Sequence, residues 1–556
     1  MTGPWLRDLL CALLLALISI QTAQAQTPID TYMDGSSHKG LMLQQKLAQS
    51  LPLGSTSFLT THNSYNSRYY ATLFRYWDPN HLISVAEQLD EGIRALEYDV
   101  HWSYDISGHK TLKLCHATDQ HLLCSLFDRS FRDGLLELGS WLRRPEHLHE
   151  VVLLYVEEHM DGHYDEAVQA LNDTVGDLVY RPGGCQALPM NISQDDVLRA
   201  GKQILIMGAD NCENAGWNQL VYHYQYPTDN DTFEPFPACR TARFDTDFIQ
   251  HNLTRIYEDK TMISALVGDA PQPITPQIMA EGMACGLSNI GMDKLKIADP
   301  RLEAARWSWA DGQPDGSGDC VALDTSGRYR AANCNVTYVA ACKQMDGAEW
   351  RVTNAAVSPA TANAECQAEW GSDYRFDVPR NGYQHTQLQQ QLLDRVEPVW
   401  LNLQRDSTGD YVSSYSTQVT LPPRDPASGQ LRNGQGLCLR VRGEVAAGAT
   451  LQQFHCQDSK TQMWERLRDG RIRSQANTDL CIGTANGMLK DYQPLSLQEC
   501  TGSAALHWTD GNNLSLRAQQ TPSLSLHIAF SILGINMPAV LRHFGGGPGE
   551  AWMLAN

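Results

Sequence analysis

Three things are scarce in this 556-residue chain, and each scarcity excludes a class of function. Positive charge is one: Lys and Arg total 43 against 63 Asp and Glu, a formal net charge of −20. Nucleic-acid binding needs concentrated Lys and Arg, so no nucleic-acid partner is expected, although a local pocket could still hold an anionic lipid. Long apolar runs are the second. Beyond the N-terminus no stretch offers the ~18 charge-free apolar residues of a membrane span. The best, Leu524 to Leu541, is broken by His527, Asn536 and Pro538. Paired CxxC spacing is the third, and without it a structural zinc site is not expected.

What is present points outward from the cell. Arg7, an apolar run from Leu9 to Ile20, and Ala23-Gln24-Ala25 read as a secretory signal over residues 1–25. Cys11 leaves with it, and the other 14 of the 15 cysteines are an even set suited to disulfides in an oxidising compartment. Cys115 and Cys124 are close enough in sequence to staple one loop. The protein is therefore expected to be secreted or periplasmic. Sequons stand at Asn172, Asn191, Asn230, Asn252, Asn335 and Asn513.

Residues 26–300 alternate strand-like and helix-like stretches. Ser57 to Asn66 (SFLTTHNSYN) reads as a buried strand ending in His62-Asn63. Pro79 to Glu91 has helical periodicity stopped by Gly92, and Ile93 to Val100 (IRALEYDV) reads as a strand. Glu97 and Asp99, at i and i+2, share one face of that strand. Buried acids are costly unless paired with a neighbouring Arg or bound to a metal. Leu112 to Cys115 runs into His116, and Val151 to Val156 runs into Glu157-Glu158-His159. Helices are expected at Phe131 to Leu142 and His163 to Val179, with further strands at Gln203 to Met207, Leu253 to Tyr257 and Cys285 to Gly291. This alternation suggests an α/β TIM-type barrel, whose sites lie at the strands' C-terminal ends.

The residues at those ends carry a chemistry. Asn63, Glu97, Asp99 and Glu157 are hard oxygen ligands suited to Ca²⁺ and less well to Mg²⁺. His62 and His116 add two imidazoles for proton transfer. A hard cation with two histidines suits phosphodiester cleavage.

THNSYN, ALEYDVHW, LCHA and VVLLYVEEH, in order over residues 55 to 160, resemble phosphatidylinositol-specific phospholipase C and its X-domain relatives. The His-Asn pair with two downstream glutamates resembles the calcium-dependent branch. The resemblance implies that His62 stabilises the pentavalent phosphate and His116 is the general acid. Asn63, Glu97, Asp99 and Glu157 would hold Ca²⁺, with a carboxylate such as Glu97 as base. The inositol 2-hydroxyl would attack phosphorus, releasing diacylglycerol and a cyclic inositol phosphate. LTRIYED further implies that Arg255 and Tyr257 contact the substrate. Met207 and Ala209 stand where eukaryotic relatives place lysines for polyphosphoinositides.

Residues 301–425 resemble an α+β C-type-lectin-like module. WSWADGQPDGSGDC and its following cysteines match the family's C-terminal half, and ANAECQAEWG with VWLNL matches the N-terminal half. The reversed order implies a circular permutation, with two degenerate modules as the alternative. The permuted reading pairs Cys320 with Cys334 and Cys342 with Cys366. In residues 426–556, Trp464, Trp508 and Trp552 recur every 44 residues, the mark of a repeat. Gln462-Met463-Trp464 resembles the QxW motif of ricin-B-type all-β trefoils, which implies pairs Cys438–Cys456 and Cys481–Cys500. Arg440 and Gly483 stand where sugar-binding trefoils usually carry Asp.

Three functions are consistent with this reading. The first is a secreted Ca²⁺-dependent phosphodiesterase acting on a phospholipid at a membrane surface, with carbohydrate as a second partner through the C-terminal modules. The second keeps the barrel but takes a glycerophosphodiester or another phospholipid. The third is a carbohydrate-binding adhesin with an inactive barrel.

Overall fold

A computed structural model describes residues 27–555 apart from 73, 119, 210–211, 224–232, 242, 268–272, 393–396, 417–418, 423–427, 530–533 and 548. The expected signal segment lies outside the described residues, as does Asn230. No helix among the described residues is long and apolar enough to cross a membrane.

The first unit is a curled parallel sheet. Its strands are β1 (Phe58–Thr61), β2 (Ala95–Tyr104), β3 (Lys110–Leu114), β4 (Val152–His159), β5 (Ile204–Gly208), β6 (Tyr222–His223), β7 (Arg255–Tyr257) and β8 (Asn289–Met292). The order is β6-β5-β4-β2-β1-β8-β7, with β3 paired to β2 alone. Every neighbouring pair on that path is parallel. The expected closed TIM-type barrel is corrected here to a half-barrel: among the described residues β6 and β7 do not pair. They have two and three residues, too few ladder bonds to close the cylinder.

Local chemistry moved several boundaries. The helix expected from Pro79 starts only at Val85, because Ser84 caps it and closes a capping box with Glu87. Cys285 ends the helix Pro276–Cys285 instead of opening a strand, and Gly286 at φ 73 caps that helix in the left-handed region. The strand β4 runs on through Glu157 to His159. The helix Phe131–Leu142 matches expectation, capped by Ser130 and burying Phe131, Leu135, Leu138 and Trp141.

The middle unit is a single mixed sheet. Strands from both halves of the segment share it: Cys320–Leu323 pairs antiparallel with Val399–Arg405, which runs parallel to Val339–Gln344. One sheet therefore holds what the sequence left open as two modules. Its core merges with that of the first unit, where Trp307 and Ser308 accept no gap: both donate backbone N–H to Gln44 Oε1, at 2.8 and 3.1 Å.

The last unit is the β-trefoil. Trp464 and Trp552 are buried, donating their indole N–H to the Leu439 and Leu526 carbonyls at 3.0 and 2.9 Å. Glu550 stands two residues before Trp552 as Gln462 stands before Trp464, and it takes backbone N–H bonds from Gly545, Gly546 and Gly547. The trefoil locks onto the first unit through a hairpin whose tip is Asn513. Asn513 accepts from Ser84 Oγ at 2.7 Å, donates to Tyr69 Oη at 3.2 Å, and gives its backbone N–H to Asp90 Oδ2 at 2.8 Å. So buried, this sequon asparagine cannot carry a glycan in the folded chain. Seven disulfides are present among the described residues, including all five pairs expected above, together with Cys185–Cys212 and Cys239–Cys285.

Candidate active site

The site is built where β1, β2, β4, β7 and β8 reach their C-terminal ends. After β1 the chain turns at Asn63, whose φ of 50 lies in the left-handed region that Asn tolerates better than most residues. Ser64 stitches the turn to the next strand, accepting the Glu97 N–H on Oγ at 2.9 Å and donating its own N–H to the Glu97 carbonyl at 3.0 Å. Parallel register then sets Asp99 beside Glu157. Glu97, Asp99 and Glu157 each present a carboxylate oxygen, all within 4.8 Å of one another.

Asn63 completes that set. The end of its amide that faces Asp99 lies 2.7 Å from both carboxylate oxygens. Turned one way it donates through Nδ2. Turned the other it presents Oδ1, which a protonated Asp99 carboxyl or a bound cation would satisfy. Tyr65 donates to Asp99 Oδ2 at 2.9 Å, and Arg255 forms an ion pair with Glu97. Burial, then the Glu157 and Glu97 charges, push the Asp99 carboxyl well above its ordinary range. Burial also acts to raise Glu157, but the His159 hydrogen bond and the surrounding cations override it and lower that carboxyl. Three carboxylates and one amide oxygen, all hard donors, have the chemistry that Ca²⁺ takes; the residues that would hold it are Asn63, Glu97, Asp99 and Glu157.

Beside this set stands His62. Its Nδ1 is 3.3 Å from Asp293 Oδ1, immediately after β8. Asp293 is itself fixed by N–H bonds of 2.8 Å from the Asn80 side chain and the Lys260 backbone. Burial would lower the His62 pKa, yet the Glu97 and Asp293 carboxylates outweigh it and hold the imidazole at about 9. It is therefore charged at neutral pH, with Nδ1 committed to Asp293. Tyr257 packs against it at 5.0 Å between ring centroids, and the Arg255 guanidinium lies 4.5 Å from the Tyr257 ring.

His116 reaches the same cleft by a different route. The strand before it, β3, is antiparallel to β2, so His116 is delivered by a hairpin instead of a barrel strand. The Cys115–Cys124 disulfide pins it. It feels the charges of Asp259, His62, Asp293 and Glu157. Burial lowers its pKa, helped by the charge on His62 and opposed by Asp259 and Asp293. The pair is thus differentiated: His62 is a standing cation, and His116 gives up a proton readily.

All eight expected site residues therefore converge, with Arg255 committed to Glu97. Sequence reading missed Asp293, which orients His62, and Asp259, which with Asp293 and His62 forms a second group within 4.8 Å. The available signal for Asp293 was SNIGMD, an apolar run ending in an acid. It also missed His159, 3.4 Å from Glu157.

Comparison with known proteins assigns the family. A family model described as the Rv2075c PI-PLC-like domain matches residues 16–299. The chain belongs to this family. The uncharacterized protein Rv2075c of Mycobacterium tuberculosis strain H37Rv is 32% identical over 410 residues, covering 68% of this chain and 81% of the relative. A PI-PLC X domain-containing protein 1 from Arthroderma benhamiae is 28% identical over 196 residues, covering 34% of this chain and 58% of that one. A second family model, the ricin-type β-trefoil lectin domain, matches residues 427–527. Among solved structures, the earthworm R-type lectin C-half in complex with GalNAc aligns over 23% of this chain and 98% of its own, at 17% identity and TM-score 0.20.

Proposed function

We propose that the chain is an exported, Ca²⁺-dependent phosphodiesterase of the phospholipase C type. It would cleave the glycerol–phosphate bond of a phosphoinositide to diacylglycerol and a cyclic inositol phosphate. The observation that carries this reading is the juxtaposition of a fixed, charged His62 with the four-oxygen set and His116. A bound Ca²⁺ would neutralise the phosphate and acidify the attacking hydroxyl.

The chain's own residues supply the rest. Asp293 holds His62 so that its positive charge meets the charge building on phosphorus. Glu97, with Arg255 fixing one oxygen, accepts the proton of the ring hydroxyl as the new P–O bond forms. His116 donates a proton to the glycerol oxygen as the old P–O bond breaks. Tyr257, packed on His62, offers a ring face to the headgroup.

One observation limits the headgroup. The strand β5 ends in Met207 and Gly208, with Ala209 following it, and the Arg255 charge is taken by Glu97. Neither place offers a cation to a 4- or 5-phosphate, which favours an unphosphorylated inositol ring and keeps glycerophosphodiesters as the second substrate class. The trefoil, and the middle unit as a C-type-lectin-like module, would tether the enzyme to a glycan. Phosphatidylinositol hydrolysis with and without EGTA, for wild type and His116→Ala, tests the reading. Loss of turnover in EGTA and in the variant is expected. No lipid turnover under any condition would sink it, and turnover of glycerophosphodiesters alone would promote the second class.

A further inference from the structure

The middle unit gathers positive charge at one point of a chain whose net charge is −20. Its strand Val339–Gln344 lies between the strands Trp350–Val352 and Tyr374–Phe376. Antiparallel register sets Lys343 directly opposite Trp350 on one side and Arg375 on the other. Residues opposite one another in register share a face, so two cations meet across the ladder. Like charges so placed cost stability unless something negative joins them.

One carboxylate serves the whole cluster. Asp377, fully buried, accepts from Arg375 Nε at 2.9 Å and from Arg380 Nη2 and Nη1 at 3.0 and 3.2 Å. Its Oδ1 also takes the Val378 N–H at 2.9 Å. Two guanidiniums and a backbone donor thus occupy Asp377. Among the described residues the Lys343 ammonium makes no hydrogen bond and no ion pair, and the Trp350 ring centroid lies 5.9 Å away. Burial lowers its pKa; Asp377 opposes that, and the Arg380 and Arg375 charges add to it. A half-buried ammonium is costly to leave unpaired. The cluster opens to solvent along one edge, where the Arg375 side chain is 29% exposed. There the Arg375 guanidinium lies 4.4 Å from the centroid of the Tyr415 ring, and Tyr415 is 41% exposed.

We propose that Lys343 and Arg375 bind the carboxylate of an acidic sugar whose ring packs against Tyr415. Charge and shape choose this ligand. Asp377 takes Nε and Nη2 of Arg375, so Nη1 keeps its donors for an incoming oxygen, and Lys343 adds a second cation. Asp346 and Asp373 stand exposed at the adjoining strand ends, so an extended polyanion or an anionic bilayer is repelled where a single carboxylate is not. A partly exposed aromatic ring beside the cations offers the apolar face on which sugar C–H groups pack. The proposal deepens the glycan-tether reading of the middle unit and rests on it; the phosphodiesterase reading does not enter.

The test is calorimetric titration of the full chain with tri-galacturonate, beside its methyl ester, which lacks the charge. The acid should bind, and the ester should bind more weakly by about tenfold or more. Lys343→Met should weaken the acid by a similar factor while unfolding no earlier than wild type, since it removes an unpaired ammonium. Tyr415→Ala should weaken acid and ester alike, and Arg440→Ala on the trefoil should bind the acid as wild type does. Binding of the acid should weaken in ~1 M NaCl, where charge is screened within about 3 Å. Absence of binding, undiminished binding by Lys343→Met, earlier unfolding of that variant, or loss of binding in Arg440→Ala would each overturn the proposal. Equal binding of acid and ester would sink the acidic-sugar site and leave a neutral-glycan tether standing.

Discussion

Replacing Asp293 with Asn isolates the part of the chemistry that depends on a charged His62. In the wild type the neighbouring carboxylates hold His62 at about 9 against burial. At pH 7.5 such a group is about 97% protonated, whereas an imidazole near its ordinary value of about 6.5 is only about 9% protonated. Glu97, the larger of the two raising charges, stays in the variant, so loss of the Asp293 charge lowers the charged fraction of His62 at that pH by up to roughly tenfold. An Asn amide cannot accept at once from His62 and from Asn80 and Lys260, as the carboxylate does, so a pH-independent loss of orientation adds to it. The assay is kcat/KM of variant relative to wild type from about pH 5.5 to 9. The ratio should fall by up to about twentyfold between pH 6 and pH 8, with recovery on the acid side. Stability moves with it. A raised folded-state imidazole stabilises the fold fully below about 6.5, and that contribution is lost as pH rises through about 9. The shift of about 2.5 units caps it at about 3 kcal/mol for the calcium-free protein. A variant-to-wild-type ratio that is flat across this pH range would refute the reasoning.

Asp99→Asn should act in opposite directions with and without calcium. It removes one charge from three clustered carboxylates, so in EGTA the variant should unfold at higher temperature, by about 1 kcal/mol or more of stability, while calcium titration by calorimetry shows affinity lowered at least tenfold. Asn513→Ala removes the side-chain bonds to Ser84 and Tyr69 across the trefoil contact, at a cost of about 1–3 kcal/mol, read as earlier thermal unfolding of the trefoil. Cys115→Ser/Cys124→Ser frees the loop carrying His116; kcat should drop by about tenfold or more with KM little changed, and stability by about 2–4 kcal/mol.

The site was more legible in the sequence than the sheet that carries it. His62, Asn63, Glu97, Asp99, His116 and Glu157 lie within short motifs, because strand periodicity and strand ends fix where their side chains emerge. Asp293 escaped because its partner His62 is 231 residues away, and no local pattern encodes a contact at that distance. The hairpin origin of His116 was hidden for a related reason: an antiparallel and a parallel strand read alike in five residues. Closure of the barrel depends on whether its last strands are long enough to pair, which alternation alone does not reveal. In the trefoil, the evenly spaced tryptophans gave the repeat, whereas Glu550 went unnoticed because a carboxylate in a glycine-rich loop replaced the expected Gln.

The seven disulfides have a consequence for how the chain matures. Their sequence separations run from 9 to 46, and none joins one unit to another. Each unit can therefore complete its own oxidation without waiting for sequence still to come. The long-range joints, such as Asn513 on Asp90, Gln44 on Trp307 and the Arg432–Asp133 ion pair, are noncovalent, so they assemble reversibly after the covalent framework is set. A mispaired cysteine is then confined to the unit in which it arises.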